Sequence, residues 1–162
     1  MILISDEYNC LKINNSPDLN IYTLKISLRD SNPLIWRRIQ IPSALLLSDL
    51  HAILQHIMGW ENRHLHEFEK EGMEYTNYVD DEFASSEKTI HYAGIKVADL
   101  MNEKGDCILY RYDFGDNWEH DILLEEVSEP EENVEYPIFI QGERKSPPED
   151  CGGVYGFYEM LD

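Results

Sequence analysis

Strict two-residue alternation near the start of the chain limits the fold more than any other feature. Over Ile21 to Leu28, Tyr22, Leu24, Ile26 and Leu28 fall on one side, and Thr23, Lys25 and Ser27 on the other. A strand half-buried in a sheet explains this pattern, because its side chains point alternately to the two faces. Asp30-Ser31-Asn32-Pro33 turns the chain. Ile35 to Ile41 then alternates again, with Ile35, Ile39 and Ile41 opposite Trp36, Arg38 and Gln40, and Pro42 ends the run. Two such runs so close together predict an antiparallel hairpin.

The period then changes. Leu47, Leu50, Ile53, Leu54, Ile57 and Met58 recur at helical spacing. Ser43 or Ser48 is placed to cap the start. Gly59 stands where a left-handed residue ends a helix, and Trp60 can fold back on the last turn. His64 to Glu69 reads as a strand leaving the helix. Residues 69–89 read as an acidic loop or short hairpin excursion, and Ile95 to Met101 as one or two helical turns. Cys107 to Phe114 and Trp118 to Val127 read as strands joined by the turn Gly115-Asp116-Asn117. Ile138 to Ile140 adds a short strand, and Tyr155 to Leu161 can begin a helix after Pro147-Pro148 and Gly152-Gly153. The expectation is an α+β fold, a mostly antiparallel sheet of roughly four to six strands packed on one main helix at about 47–58. Residues 1–20 form an irregular lead-in and 21–162 a single domain. Leu24, Ile26, Ile39, Leu50, Leu54, Ile57, Tyr110, Tyr112, Trp118 and Ile122 should point inward.

Composition narrows the function. Thirteen Lys and Arg face thirty-two Asp and Glu, a net charge of −19. Binding to nucleic acid rests on basic side chains neutralising phosphates, so no direct contact with DNA, RNA or an anionic membrane is expected. A protein partner, basic in character, is the natural complement. The three cysteines, Cys10, Cys107 and Cys151, are no disulfide framework and indicate a reducing, cytoplasmic setting. The start of the chain lacks a secretory pattern, and no apolar run is long enough to span a membrane.

Three segments carry side chains with chemistry. In His64-Leu65-His66, a strand would put both imidazoles on one face with Phe68. The cupin spacing fails, because Tyr78 stands where that pattern needs a glycine. Asp113, Asp116 and His120 cluster about one hairpin tip, with His120 on the apolar face beside Trp118 and Ile122. Asp113-Phe114-Gly115 imitates the kinase magnesium motif without the rest of its machinery. Glu149-Asp150-Cys151-Gly152-Gly153 follows two stiffening prolines. There the Cys151 thiolate is a soft ligand and the carboxylates are hard ones. The bland alternatives are a packed and hydrogen-bonded histidine pair, a core His120, and carboxylates that cap the following helix. No phosphate loop, nucleophile elbow, dinucleotide fingerprint or paired CxxC is present.

Ile35-Trp36-Arg37-Arg38-Ile39, Leu50-His51 and Gly59-Trp60 with His64-Leu65-His66-Glu67-Phe68 resemble the first half of the plasmid pRiA4b ORF-3-like family. Tyr112-Asp113-Phe114-Gly115-Asp116-Asn117-Trp118-Glu119-His120 resembles its central motif. Gly142-Glu143-Arg144 and Pro147-Pro148-Glu149-Asp150-Cys151-Gly152-Gly153 with Gly156-Phe157 resemble its C-terminal box. The resemblance implies a compact α+β domain in a largely uncharacterised group found in plasmids, bacteria and archaea, some members labelled mobile-element passengers. Many relatives carry two further cysteines, where Phe139 and Ser146 stand here; with them a tetrahedral zinc site could close. The family also usually continues past its last box, so either the tail is reduced here or the chain is a fragment.

Two functions follow as expectations. One is an acidic protein-interaction module. The other is a metal-dependent hydrolase acting on phosphoesters or nucleic-acid-related substrates. Its pocket would be edged by Trp60 and Trp118, with His66 and His120 supplying nitrogen, Asp113 and Asp150 oxygen, and Cys151 sulfur. Zinc suits that mixed set, and Glu149 would be the general base or orient a histidine. A metal-free pocket held by hydrogen bonds is the alternative.

Overall fold

In the computed structural model, which describes residues 2–3, 19–78 and 87–162, the two alternating runs pair as expected. Strand β2 (Ile21–Leu28) lies antiparallel to β3 (Trp36–Pro42), with Leu24 opposite Ile39 and Ile26 opposite Arg37. On its other side β2 pairs with the long β8 (Trp118–Ser128), Ile26 facing Ile122. The sheet continues from β8 through β7 (Cys107–Tyr112), β4 (His66–Lys70) and β5 (Met73–Thr76) to β6 (Thr89–His91). From β3 it continues through β9 (Ile138–Glu143) to the two-residue β1 (Ile2–Leu3). Every pairing is antiparallel except β5 with β6, which run parallel.

The expected architecture is therefore corrected. Among the described residues, one mixed sheet of nine strands carries three helices, not four to six strands on one main helix. The additional strands are very short. Met73–Thr76 and Thr89–His91 flank residues 79–86, outside the described set, within the stretch that reads as an acidic loop. Three or four residues give alternation too little length to register, and only sheet pairing makes them strands. Most of the irregular lead-in, residues 4–18, also lies outside the described residues.

Helix α1 (Leu47–Met58) ends as its sequence requires. Gly59 takes φ 71°, its N–H bonds His56 O at 3.1 Å, and Trp60 N bonds Gln55 O at 2.9 Å. These two bonds make a Schellman cap and fold Trp60 back into the core. No serine side chain caps the other end; the Leu47 N–H instead donates to Ile95 O at 2.9 Å. That contact ties α1 to the segment entering α2 (Val97–Leu100). A third helix, α3 (Gly153–Leu161), follows the last motif.

The inward face of the sheet and the apolar face of α1 form one core. Leu24, Ile39, Leu50, Leu54, Tyr110, Tyr112, Trp118 and Ile122 are all fully buried, while Ile57 is partly covered. Arginines are matched with acids on the opposite face, as in Arg38 with Glu125 at 2.9 Å and Arg29 with Asp121 at 2.8 Å. No described helix is long and apolar enough to cross a membrane.

Candidate metal centre

The β7–β8 hairpin turns over five residues, with Asp113 (φ 59°) and Asn117 (φ 57°) at its two ends in left-handed backbone. Asp and Asn tolerate that region because their short polar side chains bond locally. Asp113 Oδ1 accepts the Gly115 N–H at 3.0 Å, and the Asp113 N–H donates to Leu65 O at 2.8 Å. The second bond draws the end of the α1–β4 loop against the hairpin tip, in continuation of the His66–Tyr112 pairing between β4 and β7.

The last motif closes from the other side. The Gly152 N–H donates to Asp116 Oδ2 at 3.1 Å. Gly153, with φ 74°, lies so close that an added Cβ would sit 2.4 Å from Asp116 O. Gly156 meets Cys151 O in the same way, at 2.1 Å, so the first turn of α3 closes directly on the loop before it. Glu149 accepts the Tyr112 hydroxyl on one oxygen and the Glu61 N–H, at 3.0 Å, on the other. The Trp60 indole N–H donates to Pro147 O at 3.0 Å.

At the junction His64 Nε2 lies 2.7 Å from Asp150 Oδ1 and 3.5 Å from Asp113 Oδ2. One ligand atom from each of the three residues falls within 4.8 Å of the others. Asp113 is nearly covered, His64 is partly open and Asp150 faces solvent, so the group is accessible from one side. One imidazole and two carboxylates, with an open side, form a donor set that fits a divalent transition metal. Beneath the group lies an aromatic layer. Tyr112 stacks on Trp60 with ring centres 5.0 Å apart, and Trp60 meets Trp118 at 5.7 Å and His120 at 5.3 Å. Both tryptophans are buried, so they floor the junction and do not edge it. Burial and the neighbouring Glu149 push the Tyr112 phenol well above its ordinary value.

Of the five residues singled out as metal ligands, Asp113 and Asp150 come together here, and the other three stand elsewhere. His66 is buried; its ring stacks on His51 at 3.4 Å and its Nε2 lies 2.6 Å from the Tyr92 hydroxyl. Desolvation, with His51 beside it, lowers its pKa to about 3. His120 is wholly buried, with Nδ1 3.3 Å from Tyr110 O and Nε2 without a hydrogen-bond partner among the described residues; burial lowers its pKa to about 4. The Cys151 thiol lies 3.9 Å from Gly153 O and packs against the core, its pKa raised by burial and by Asp116. Cys151 stands beside Asp150 in sequence without joining the three-residue group. Ser146 accepts a hydrogen bond from Arg37 at 2.8 Å.

His64 replaces His66 for a local reason. Strand β4 begins at His66, while His64 sits in a bend before it, so two-residue alternation does not govern the pair. The bend is fixed from below. The Asn62 N–H donates to Gln55 Oε1 at 2.9 Å, and Asn62 Oδ1 meets His51 Nε2 at 2.8 Å. Gln55 and His51 both reach the Tyr110 hydroxyl, at 3.0 and 2.7 Å. The amide oxygen of Asn62 requires His51 to donate from Nε2. Nδ1 then accepts the Tyr110 hydroxyl, so His51 is held neutral, consistent with its lowered pKa.

Comparison with known proteins places this geometry in a family. The pattern of the plasmid pRiA4b ORF-3-like proteins matches residues 20–162. The uncharacterized protein y4hQ of Sinorhizobium fredii is 33% identical over 144 residues, which is 88% of this chain and 72% of that protein. The crystal structure of MM3350 from Methanosarcina mazei Go1, a protein of unknown function, superposes with a TM-score of 0.80 at 39% identity, covering 88% of this chain and 80% of that one. With nearly all of its described sheet inside the match, the chain belongs to the plasmid pRiA4b ORF-3-like family.

Proposed function

We propose that this protein binds one divalent transition-metal ion through His64, Asp113 and Asp150, and that the ion supports a hydrolytic reaction at the open side of the junction. The observation that carries this reading is the convergence of three ligand atoms from three distant motifs within 4.8 Å. Three protein ligands with room for a further one is the arrangement of a catalytic site, whereas a structural zinc site is closed by four. Bound there, a metal would act as a Lewis acid toward a substrate oxygen. The chain's own residues hold the geometry. Asp113 is fixed through Gly115, and Glu149 holds its loop down through Tyr112 and Glu61. With both of its oxygens engaged, Glu149 serves as a positioning residue more readily than as a general base.

Calorimetric titration of metal-stripped protein with Zn2+ and Mn2+ tests the reading. One ion per chain is expected to bind, with an affinity at least about tenfold weaker in His64→Ala and in Asp150→Asn. Asparagine at 150 keeps the left-handed backbone accessible. Absence of binding, or an unchanged affinity in both variants, would refute it.

A second reading, an acidic module for a basic protein partner in the cytoplasm, is supported by the net charge of −19. Its association would weaken steeply with added salt, since exposed charges are screened over about 8–10 Å near physiological ionic strength. Salt-insensitive association would count against it.

A further inference from the structure

The surroundings of the junction restrict what it can take. Five carboxylates belong to it or border it: Glu61, Asp113, Asp116, Glu149 and Asp150. The neighbouring cation is Arg63, and its guanidinium is already paired with Glu61. A phosphoryl group is normally clamped by basic side chains and by backbone N–H donors. Here four of the nearby backbone donors already serve the fold. The N–H of Gly115 goes to Asp113, that of Gly152 to Asp116, that of Glu61 to Glu149 and that of Arg63 to the Tyr112 hydroxyl.

The rim offers something different. Leu65 and Phe114 directly follow His64 and Asp113 in the chain, and the Asp113 N–H to Leu65 O bond holds the two segments together. Both side chains are open to solvent, Leu65 at 52% and Phe114 at 42% exposure. Together they offer apolar surface next to the polar group.

We propose that the substrate is an uncharged carbonyl compound, an amide or ester with an apolar group near the carbonyl, and not a phosphoester. This rests on the metal reading above. A carbonyl oxygen develops one negative charge as water adds, which a single Lewis acid would meet, whereas a phosphoryl group calls for several basic partners. In the reaction, the OH of water adds to the carbonyl carbon and the C–N or C–O bond breaks. The second water proton leaves with the amine or alcohol. Leu65 and Phe114 cover the apolar group.

Competition binding to metal-loaded protein tests this with three probes: acetohydroxamate, isocaproyl hydroxamate and inorganic phosphate. The larger hydroxamate is expected to bind about tenfold tighter than the smaller, the order of discrimination an apolar contact provides. In Leu65→Ser/Phe114→Ser the preference should fall to about twofold or less, with the metal titration itself unchanged. Phosphate should not compete with either hydroxamate. Equal binding of the two hydroxamates, a preference that survives the double substitution, or effective competition by phosphate would each overturn the proposal while leaving the metal reading intact. Absence of metal binding in the preceding titration removes both.

Discussion

His120 makes the fold sensitive to acid in a way that can be worked out in advance. It is wholly buried under Trp60 and Tyr110, and among the described residues no hydrogen-bond partner meets its Nε2. Burial lowers its pKa from 6.5 to about 4. Above the unfolded value both states are neutral and the group leaves stability independent of pH. As pH falls below 6.5 the unfolded chain takes up a proton that the folded chain refuses, so stability declines until the folded pKa is passed. The full span from 6.5 to about 4 corresponds to about 3 kcal/mol. Between pH 7 and about pH 4.5, roughly 2 kcal/mol of that should be lost. Paired carboxylates add their own acid dependence, so the informative quantity is a difference. Urea unfolding of the wild type and of His120→Leu at both pH values should show the loss smaller in the variant by about 2 kcal/mol. Equal losses in the two proteins would show that His120 is protonated as readily folded as unfolded, and the argument from burial would fail.

Two further substitutions probe the junction. Gly153→Ala places a methyl group 2.4 Å from Asp116 O at φ 74°. It should therefore destabilise by more than about 1 kcal/mol and weaken metal binding, read by urea unfolding and calorimetry; full stability would mean the last motif does not press on the hairpin. Cys151→Ser, outside the three-residue group, should leave zinc affinity within about twofold and the melting temperature nearly unchanged; a large loss of either would bring the thiol into the site.

The sequence made the centre of the fold legible and its margins not. Alternation over Ile21–Leu28 and helical spacing over Leu47–Met58 are long enough to declare themselves, and Gly59 marks the helix end. Strands β5 and β6 become strands only through their neighbours. The site was partly legible for the same reason. Asp113 and Asp150 occupy turns whose chemistry is written locally. His64 and His66 cannot be told apart without knowing where β4 begins, and that is set by pairing with Tyr112 on β7. Asp116 reads as an ordinary turn residue, yet it also anchors Gly152 across thirty-six positions. His51 and Gln55 look like polar positions on an amphipathic helix until Tyr110 and Asn62 are placed against them.

The pairing of β2 with β8 sets the order in which the molecule can assemble. Leu28 faces His120 and Ile21 faces Ser128, so the positions paired between β2 and β8, at the centre of the sheet, lie 92 (120 − 28) to 107 (128 − 21) apart along the chain. On one side of that seam lie β3 and β9, on the other β7 and β4. A nascent chain that has emerged only as far as α2 owns the first hairpin and its helix but no neighbour for the open edge of β2. Closing a loop of that length comes before most of the rewarding contacts, which is the condition for slow, all-or-none folding. Until β8 arrives, the apolar row Tyr22, Leu24, Ile26 and Leu28 lacks the flanking strand that carries Ile122 and Leu124, and the unfinished edge of β2 is a surface on which other strands can pair.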